Sequence, residues 1–355
     1  MQTHFFEDLV VIELASVLAG PSVGMFFAEL GASVIKIENK ANGGDITRQW
    51  KLEKEDANSS LSAYYRSVNW GKKQLFLDLK QEKDKSKLYE LVKSADLLVS
   101  NFKPSSARKL GIAYEDLKTL NPALIFAQLT AFGMENERLG FDVVLQAEAG
   151  FMYMNGEIKG DPVKMPVALI DLLAAHQLKE GILLALLRRE KTGQGSFIHV
   201  SLLEAAIASL ANQATNWLIA RHIPQRMGSQ HPNIAPYGDI FYTKEGKAIV
   251  LAVGTNRQFY ALCELLNCRE LSSDKAFKTN DLRVKNRDLL KKKLEVFFQQ
   301  YTFHDLMPEI HKAGIPAGQI RNMQEVFEQD LSQQMLLKFK DGSTCVKSVA
   351  FQIRT

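Results

Sequence analysis

The chain has 355 residues, of which 46% are hydrophobic, and its 44 basic and 40 acidic residues leave a formal net charge of +4. This length suffices for one large domain and a smaller one, and the composition excludes a disordered chain. Basic and acidic residues are mixed along the sequence, so no basic arm or face predicts nucleic-acid binding.

The cysteines and the N-terminus exclude several further classes of protein. Cys263, Cys268 and Cys345 form no CxxC pair, and no HExxH motif accompanies them. We therefore expect buried thiols, with neither a metal site nor a disulfide framework. Acidic residues from Glu7 onward interrupt the first apolar run, and no apolar stretch approaches the about 18 residues of a membrane span. We expect a soluble, cytoplasmic protein.

The first half of the chain alternates apolar strands with helical patterns. From Val10 to Glu38 the sequence predicts a strand, a turn holding Gly20 and Pro21, a helix ending before Gly31 and a second strand. Such a βαβ unit requires parallel pairing with a right-handed crossover. The sequence therefore predicts an α/β fold with an open, mostly parallel sheet. Further strands are predicted at 75–77, 97–100 and 124–129, a helix at 81–94, and a polar loop or short helix at 39–62.

The second half of the chain has a different pattern of strands and helices. A helical pattern over 202–221 ends in the polar run HIPQRMGSQHPNIAPYG, which is typical of a linker. Beyond it, the turn KEGK lies between two strand patterns and predicts a β-hairpin at 239–242 and 248–253, followed by helices around 257–266, 286–301 and 302–313. We predict a large domain over 1–221, a linker over 222–236, a small α+β domain over 237–328 and a return segment over 329–355.

The strongest candidate for chemistry is the carboxylate of Asp171 in the stretch MPVALIDLLAAHQLKEG. Residues 167–170 predict a short buried strand and 172–189 a long helix, so Asp171 falls at a strand-to-helix junction, which faces the cleft of open α/β sheets. An alternative role is the N-cap of that helix, and the two roles are compatible because a helix N-terminus keeps a carboxylate ionised. His176 lies about 140° away around the helix, so no Asp–His dyad is expected.

Common phosphate and nucleophile motifs are missing. The turn at Gly20 lacks GxGxxG, and the chain has neither GxxxxGK[ST] nor GxSxG. Basic residues instead lie beside predicted strand ends and turns. Each alone is typical of a solvated surface, but together they could bind a ligand with several phosphates, such as coenzyme A (CoA). These residues are Lys40, Arg48, Lys72, Lys73, Lys80, Lys103, Arg108 and Lys109.

A series of longer motifs extends over nearly the whole chain. In order, they are LASVLAGPSVGMFFAELGASVIKIE with GGDITR after it, LDLK, SADLLVSNFKP, KLGI, LGFDVVLQAEAG, the Asp171 stretch, RREKTGQG, HPNIAPYGDIFYTKEG and AGIPAGQI. With these motifs the chain resembles the class III CoA-transferases, the formyl-CoA transferase and carnitine CoA-transferase (CaiB/BaiF) family. The resemblance implies an interlocked, ring-like homodimer whose subunits each have a large Rossmann-like domain, which binds CoA, and a small domain. The chain ends at Thr355, before the family's usual tail.

The resemblance also implies a mechanism, because the family's catalytic aspartate matches Asp171. In the family this carboxylate attacks an acyl-CoA thioester to give a mixed anhydride and CoA thiolate, which returns to form an aspartyl-CoA thioester. An incoming carboxylic acid then reverses the sequence. Such covalent catalysis divides one difficult acyl exchange into easier steps, and backbone N–H groups would stabilise the oxyanions. CoA and acyl-CoA are substrates here, and no permanently bound cofactor is implied.

The family's CoA contacts carry over to positions in several motifs. Asn39 and Lys109 stand where the family has arginine, and the loss of the guanidinium fork weakens those phosphate contacts. Leu18 replaces an active-site glutamine of formyl-CoA transferase, so formyl-CoA and oxalate are not the expected substrates. The contacts fall on Val17, Leu18, Ala19, Asn39, Lys40, Leu77, Lys80, Asn101, Phe102, Lys103, Lys109, Gly140, Phe141 and Asp142.

Two alternatives remain beside a transferase. An α-methylacyl-CoA racemase shares the fold and the aspartate, but racemisation needs acid and base groups on both sides of the α-carbon. That branch has a histidine before an aspartate where this chain has Phe141 and Asp142, and a glutamate in place of Asn256. Phenylalanine carries no ionisable proton, so the sequence favours the transferase. The other alternative is an inactive CoA-binding or scaffolding protein.

Overall fold

The computed structural model describes residues 5–353, which form two compact units. The first unit contains the residues up to Met152, Lys164–Ile223 and the residues from Gln333 onward, and the second contains Tyr153–Val163 and Pro224–Ser332. Each unit has its own sheet and its own buried apolar core. The mixed α/β fold predicted from the sequence is confirmed.

The first unit is built on a six-stranded sheet in which every neighbouring pair is parallel. The strands are β1 (Val10–Leu14), β2 (Ser33–Asn39), β3 (Lys73–Leu77), β4 (Leu97–Ser100), β5 (Ile125–Thr130) and β6 (Ser196–Ser201), in the order β3-β2-β1-β4-β5-β6. The order reverses between β1 and β4. Open α/β sheets bind ligands outside the carboxyl ends of the strands at such a switch point.

Helices cover both faces of this sheet, as parallel sheets require. The α-helices up to residue 223 are α1 (Ala19–Glu29), α2 (Ala63–Arg66), α3 (Glu82–Lys93), α4 (Pro104–Leu110), α5 (Tyr114–Leu117), α6 (Asp142–Glu148), α7 (Phe151–Met154), α8 (Leu169–Thr192), α9 (Leu202–Ala208) and α10 (Ala211–Ala220). On one face of the sheet, α1 and α8 pack with Val11 and Val99 in the core; on the other, α3, α4 and α5 pack with Ile12 and Leu98.

Two predictions of local structure are wrong. Residues 167–170 form no strand, since α8 begins at Leu169 and Val167 is 56% exposed. A short apolar run fits a strand or the first turn of a helix equally well, and periodicity cannot distinguish them. The helix predicted over 202–221 is divided into α9 and α10. At the break, the Ser209 hydroxyl donates to the Ala205 carbonyl at 2.8 Å, a local bond that competes with the helix ladder.

The second unit has an antiparallel sheet in the order β7-β8-β9. Its predicted β-hairpin is confirmed as β7 (Tyr237–Tyr242) and β8 (Ala248–Ala252), and β9 (Ala317–Gln319) pairs with β8. The later helices are α11 (Asn256–Leu265), α12 (Arg269–Ser273), α13 (Asn280–Lys285), α14 (Arg287–Phe298), α15 (Phe303–Lys312), α16 (Met323–Phe327) and α17 (Asp330–Gln334). A final antiparallel pair, β10 (Leu336–Lys338) and β11 (Thr344–Val346), returns to the first unit.

The three cysteines are free and buried, as predicted. Within residues 5–353, no cluster of three or more His, Cys, Asp or Glu side chains is arranged to hold a metal ion. In the same part of the chain, none of the helices has both the length and the apolar character needed to span a bilayer.

Candidate active site

The loops that follow β1 and β4 are joined at the switch point by the side chain of Asn101. Its Oδ1 accepts a hydrogen bond from the Ser16 N–H at 3.2 Å, and its Nδ2 donates to the Ser16 carbonyl at 2.9 Å. The Asn101 N–H also donates to the Leu14 carbonyl at 3.3 Å. These bonds fix the separation of the two loops where a ligand of this fold would bind.

Between β1 and α1 the chain makes a strained turn. Val17 has a φ of 72°, a left-handed conformation that is rare and costly for a β-branched residue. Leu18 is the N-cap of α1, but it offers no side-chain acceptor. The first N–H groups of a helix have no partner within the helix and can bind an oxygen of a ligand; in α1 these groups begin at Ala19, which lines the cavity described next.

Asp171 lines a cavity of about 140 Å³ beside this turn. Its side chain lies in the first turn of α8, and the residue is only 8% exposed. Helix α8 places His176 in the lining of a different cavity, consistent with the expectation of no Asp–His dyad. The predicted site residues that line the Asp171 cavity are Val17, Leu18, Ala19, Asn101, Gly140, Phe141 and Asp171 itself.

The N-cap role predicted for Asp171 is wrong, because the N-cap of α8 is Ala168. Asp142, on α6, supplies the acceptor instead. Its Oδ1 accepts from the Ile170 N–H at 2.7 Å and from the Asp171 N–H at 3.4 Å, and its Oδ2 accepts from Gln146 Nε2 at 2.6 Å. The carboxylate of Asp171 therefore does not cap its own helix.

The surroundings of Asp171 raise the pKa of its carboxyl group to about 7, first by burial and then by the negative charge of Asp142. Burial thus outweighs the helix N-terminus, which alone would favour the ionised form. Burial and then the charge of Asp171 raise the pKa of Tyr64 to about 12, so this phenol stays protonated near the two carboxylates. A carboxylate with a pKa near 7 is a better nucleophile than an ordinary one and still ionises at neutral pH.

Other predicted CoA contacts line two further cavities along the carboxyl ends of β1, β2 and β3. One, of about 70 Å³, is lined by Asn39, Leu77, Lys80 and Phe102. The other, of about 240 Å³, is lined by Asn39 and Phe102 and shares Asn101 with the Asp171 cavity. The three cavities therefore follow one another along the edge of the sheet.

The remaining predicted lysines lie outside these cavities. Lys40 and Lys109 are exposed, and Lys103 is half-buried. The Lys103 ammonium group donates to the Glu137 carbonyl at 2.6 Å.

Two residues of the basic set do not fit a phosphate-binding role. Arg48 binds Glu38 with both Nε and Nη2, at 2.7 and 2.6 Å. The Lys72 ammonium group lies 2.7 Å from a carboxylate oxygen of Glu13, and neither side chain is exposed. Their charges are already neutralised inside the protein, which the sequence pattern could not reveal.

Four buried charges next to the Val17 turn were not predicted from the sequence as a group. We call Glu13, Lys36, Asp45 and Lys72 the buried charge cluster. Lys36 lies 2.9 Å from Glu13 and 3.1 Å from Asp45, and all of these side chains are at most 1% exposed. A signal was present in VVIEL and VIKIE, each of which places one charge inside an apolar strand, because buried charges are rare unless paired.

Comparisons with known proteins find similarity over most of the chain. Residues 6–355 match the family model described as CoA-transferase family III. A succinate–glutarate CoA-transferase of Agrobacterium fabrum is 37% identical over 323 residues, 89% of this chain and 80% of that protein. An acetyl-CoA:oxalate CoA-transferase of Acetobacter aceti is 35% identical over 339 residues, 94% of this chain and 85% of that protein. The crystal structure of a CaiB/BaiF family protein from Brucella suis superposes with a TM-score of 0.85 at 36% identity, covering 97% of this chain and 91% of that one.

A doubly wound sheet with a buried carboxylate beside its switch point, together with relatives that are named CoA-transferases, defines an enzyme of acyl-CoA metabolism. The chain belongs to CoA-transferase family III, as the sequence motifs predicted. Enzymes of this family use CoA thioesters as substrates.

Proposed function

We propose that the enzyme moves CoA from an acyl-CoA donor to a carboxylic acid through covalent intermediates on Asp171. The observation that carries this proposal is the state of the Asp171 carboxylate. It is buried beside the N-terminus of α1, its pKa is raised, and hydrogen bonding is not among the causes that set that pKa. A carboxylate held in this way is suited to attack a carbonyl carbon.

The steps balance without an oxidant or a second cofactor. Asp171 attacks the thioester carbonyl, the carbon–sulfur bond breaks, and an acyl–aspartyl anhydride and CoA thiolate form. The thiolate attacks the aspartyl carbonyl, which gives aspartyl-CoA thioester and releases the donor acid. The acceptor carboxylate attacks the aspartyl carbonyl of this thioester, the carbon–sulfur bond breaks, and a second anhydride and CoA thiolate form. The thiolate then attacks the acceptor's acyl carbonyl, which gives the new acyl-CoA and frees the Asp171 carboxylate. Each tetrahedral oxyanion needs hydrogen-bond donors, and the N–H groups of Ala19 and Gly20 are candidates.

The same proposal assigns the predicted contacts to CoA. Leu77, Lys80 and Phe102 line the cavities that lead along the sheet edge toward Asp171, which suits an extended ligand with its thiol end at the carboxylate. The exposed Lys40 and Lys109 would meet the phosphates as point charges.

We further propose that the acceptor is a dicarboxylic acid. Succinate, glutarate and oxalate, which the two relatives carry in their names, are all dicarboxylic acids. Arg138 is among the residues that line the Asp171 cavity. It pairs with Glu148 and lies 4.2 Å over the ring of Phe132. The second carboxylate of an acceptor would replace Glu148 on Arg138, and the apolar Leu18 favours succinate or glutarate over oxalate.

The racemase alternative loses support in the structure. Phe141 lines the Asp171 cavity and carries no ionisable group. Asn256, which stands where racemases have a glutamate, accepts a hydrogen bond from Arg283 at 3.0 Å within the second unit. Neither residue offers the second acid–base group that racemisation requires.

Trapping the aspartyl intermediate tests the proposed function. The enzyme is incubated with succinyl-CoA or acetyl-CoA and hydroxylamine, and its peptides are analysed by mass spectrometry. We expect a hydroxamate at Asp171 and none in Asp171→Asn, with CoA transfer to succinate or glutarate in the absence of hydroxylamine. If the enzyme only hydrolyses these thioesters, or if Asp171→Asn still transfers CoA, the proposal is wrong.

We also propose that the enzyme is a homodimer, as the resemblance implies. Helix α10 supports an interface, because Trp217, Leu218 and Ile219 are 43%, 63% and 83% exposed, and adjacent exposed apolar side chains mark association surfaces. Light scattering should give about twice the chain mass of 39.9 kDa. A monomer across the micromolar range would contradict this.

A further inference from the structure

Side chains of the buried charge cluster form hydrogen bonds with the backbone of the Val17 turn. Lys36 donates to the Ala15 carbonyl at 2.7 Å. Two residues on, the N–H of Val17 donates to the Asp45 carboxylate, at 3.2 Å to Oδ2 and 3.4 Å to Oδ1. Lys36 also pairs with Asp45 at 3.1 Å, so the two side chains that bond to this backbone form one ion pair. The left-handed residue is therefore held between two anchored backbone groups.

A second ion pair of the cluster holds the far side of the same turn. Lys72 donates to the Pro21 carbonyl at 2.7 Å and lies 2.7 Å from Glu13. Glu13 in turn pairs with Lys36 at 2.9 Å, which joins the two halves of the cluster. Helix α1 admits the Glu13 carboxylate only because residue 24 is glycine: a Cβ on Gly24 would lie 1.9 Å from Glu13 Oε2.

Stability alone is a poor reason for such a cluster. Burying charges costs desolvation free energy that their attraction often fails to recover, and well-packed apolar side chains commonly stabilise a fold as well or better. A left-handed Val17, by contrast, persists only where the surroundings over-determine the backbone. The hydrogen bonds to the backbone of Ala15, Val17 and Pro21 hold the turn in this conformation.

We infer that the buried charge cluster positions the reaction: Asp45, held by Lys36, fixes Val17 in its left-handed state and so holds the N–H groups at the start of α1 toward the cavity of Asp171. Asp45 is a positioning residue, because its own carboxylate is occupied by the Val17 N–H, by Lys36 and by the N–H and hydroxyl groups of Thr47. The inference rests on the proposed function, since it is for CoA transfer that the turn must keep its shape.

Variants at Asp45 test the inference with two measurements, steady-state kinetics and hydrogen exchange of the peptide that spans residues 15–22. Asp45→Ala removes the acceptor for Val17. We expect exchange in this peptide to rise about tenfold and kcat to fall about 100-fold, with KM for acyl-CoA changed less than about threefold. Asp45→Asn keeps a carbonyl acceptor of the same size and should recover part of kcat. Asp56→Ala is the matched control, because the Asp56 side chain is exposed and accepts a local bond from the Asn58 N–H at 2.9 Å.

The outcomes separate positioning from a general structural role. Exchange that rises equally in β5, or a kcat per folded enzyme that stays at the wild-type value in Asp45→Ala, would overturn the inference. If Asp45→Ala does not fold, the inference is tested with Asp45→Asn instead. A wild-type kcat together with unchanged exchange in residues 15–22 of that variant would overturn the inference. Should the wild type fail to transfer CoA, the proposed function fails on its own, while the exchange comparison still shows whether Asp45 holds the turn.

Discussion

In the proposed mechanism the carboxyl group of Asp171 reacts only when it is ionised, and its surroundings oppose ionisation. Burial and the charge of Asp142 raise its pKa to about 7. We therefore expect kcat/KM for acyl-CoA, which reports the ligand-free enzyme, to rise with pH through about 7 and to level off above it, because the proposed nucleophile is the deprotonated form. A pH profile of kcat/KM measures this, and a kcat/KM that is constant from pH 5 to 8 would contradict it.

Asp142→Asn should move the acid limb of this profile to lower pH. The substitution removes the negative charge that raises the pKa of Asp171, yet an asparagine carbonyl can still accept from the Ile170 N–H as Asp142 does at 2.7 Å. The shift should be partial, since burial is the larger cause. Glu90→Gln removes an exposed carboxylate from α3 that is not a cause of that shift, and its profile should match the wild type.

The same pKa predicts a gain in stability when the nucleophile is neutralised. A carboxyl group whose folded-state pKa lies above its unfolded value destabilises the fold once it ionises. For Asp171 this cost is absent below about pH 4, grows as the pH rises and is complete above about 7. Asp171→Asn should therefore raise the free energy of unfolding at pH 8, by at most about 4 kcal/mol, and the gain should narrow toward pH 4. Urea unfolding at several pH values measures it; a loss of stability at pH 8 would contradict it.

At the scale of elements, helix α1 depends on a glycine in its interior. Alanine is favoured over glycine in helices by about 1 kcal/mol, so Gly24→Ala would ordinarily stabilise α1. Here the added Cβ would lie 1.9 Å from Glu13 Oε2 and 3.3 Å from Lys72 Cε. We expect a net loss of about 1 to 3 kcal/mol in the free energy of unfolding, together with a lower kcat as the Val17 turn shifts.

Gly254→Ala is the control for this substitution, because its Cβ would meet nothing closer than Gln258 Oε1 at 3.9 Å. Urea unfolding of both variants gives the comparison. If Gly24→Ala is as stable as the wild type, the carboxylate does not approach α1 as closely as described.

The elements that sequence alone predicts are those with a clear period. The strands and helix between Val10 and Glu38, and the hairpin of β7 and β8, follow from alternation and turn residues. The cap on α8 does not, because Asp142 and Asp171 are 29 positions apart and meet only through folding. The pairing of Glu13 with Lys36 likewise depends on the register of β1 and β2, which is set by the packed sheet and not by either strand.

At the scale of the whole molecule, function depends on the order of the strands. Leu14 pairs with Ser100 across β1 and β4, so the loops that leave these strands emerge side by side although they are 86 positions apart in the chain. Neither composition nor periodicity predicts this neighbour relation. Of the residues supplied by the resemblance, Asn101 lines the Asp171 cavity, whereas Lys40, Lys103 and Lys109 line none of the three cavities along the sheet edge. Arg48 and Lys72, chosen by their position near strand ends, are ion-paired inside the protein.

The second unit contains a buried cation of its own. Arg283 is fully buried and donates to the carbonyls of Ala235 and Phe277 at 2.8 and 3.1 Å, and to Asn256 Oδ1 at 3.0 Å. Its guanidinium group also lies 4.6 Å from the ring centre of Phe259. One side chain thus joins the segment before β7 to α11 and to the loop before α13.

Arg283→Met should destabilise this unit strongly, because methionine fills much of the volume but leaves the buried carbonyls of Ala235 and Phe277 without this donor. Each unsatisfied group costs about 1 to 3 kcal/mol, so we expect at least about 2 kcal/mol of lost stability, seen as faster hydrogen exchange in β8 and α11. Arg257→Met, on the exposed face of α11, makes the same chemical change at the surface and should alter stability by less than about 0.5 kcal/mol. Equal exchange rates in the two variants would show that the carbonyl oxygens of Ala235 and Phe277 do not need Arg283.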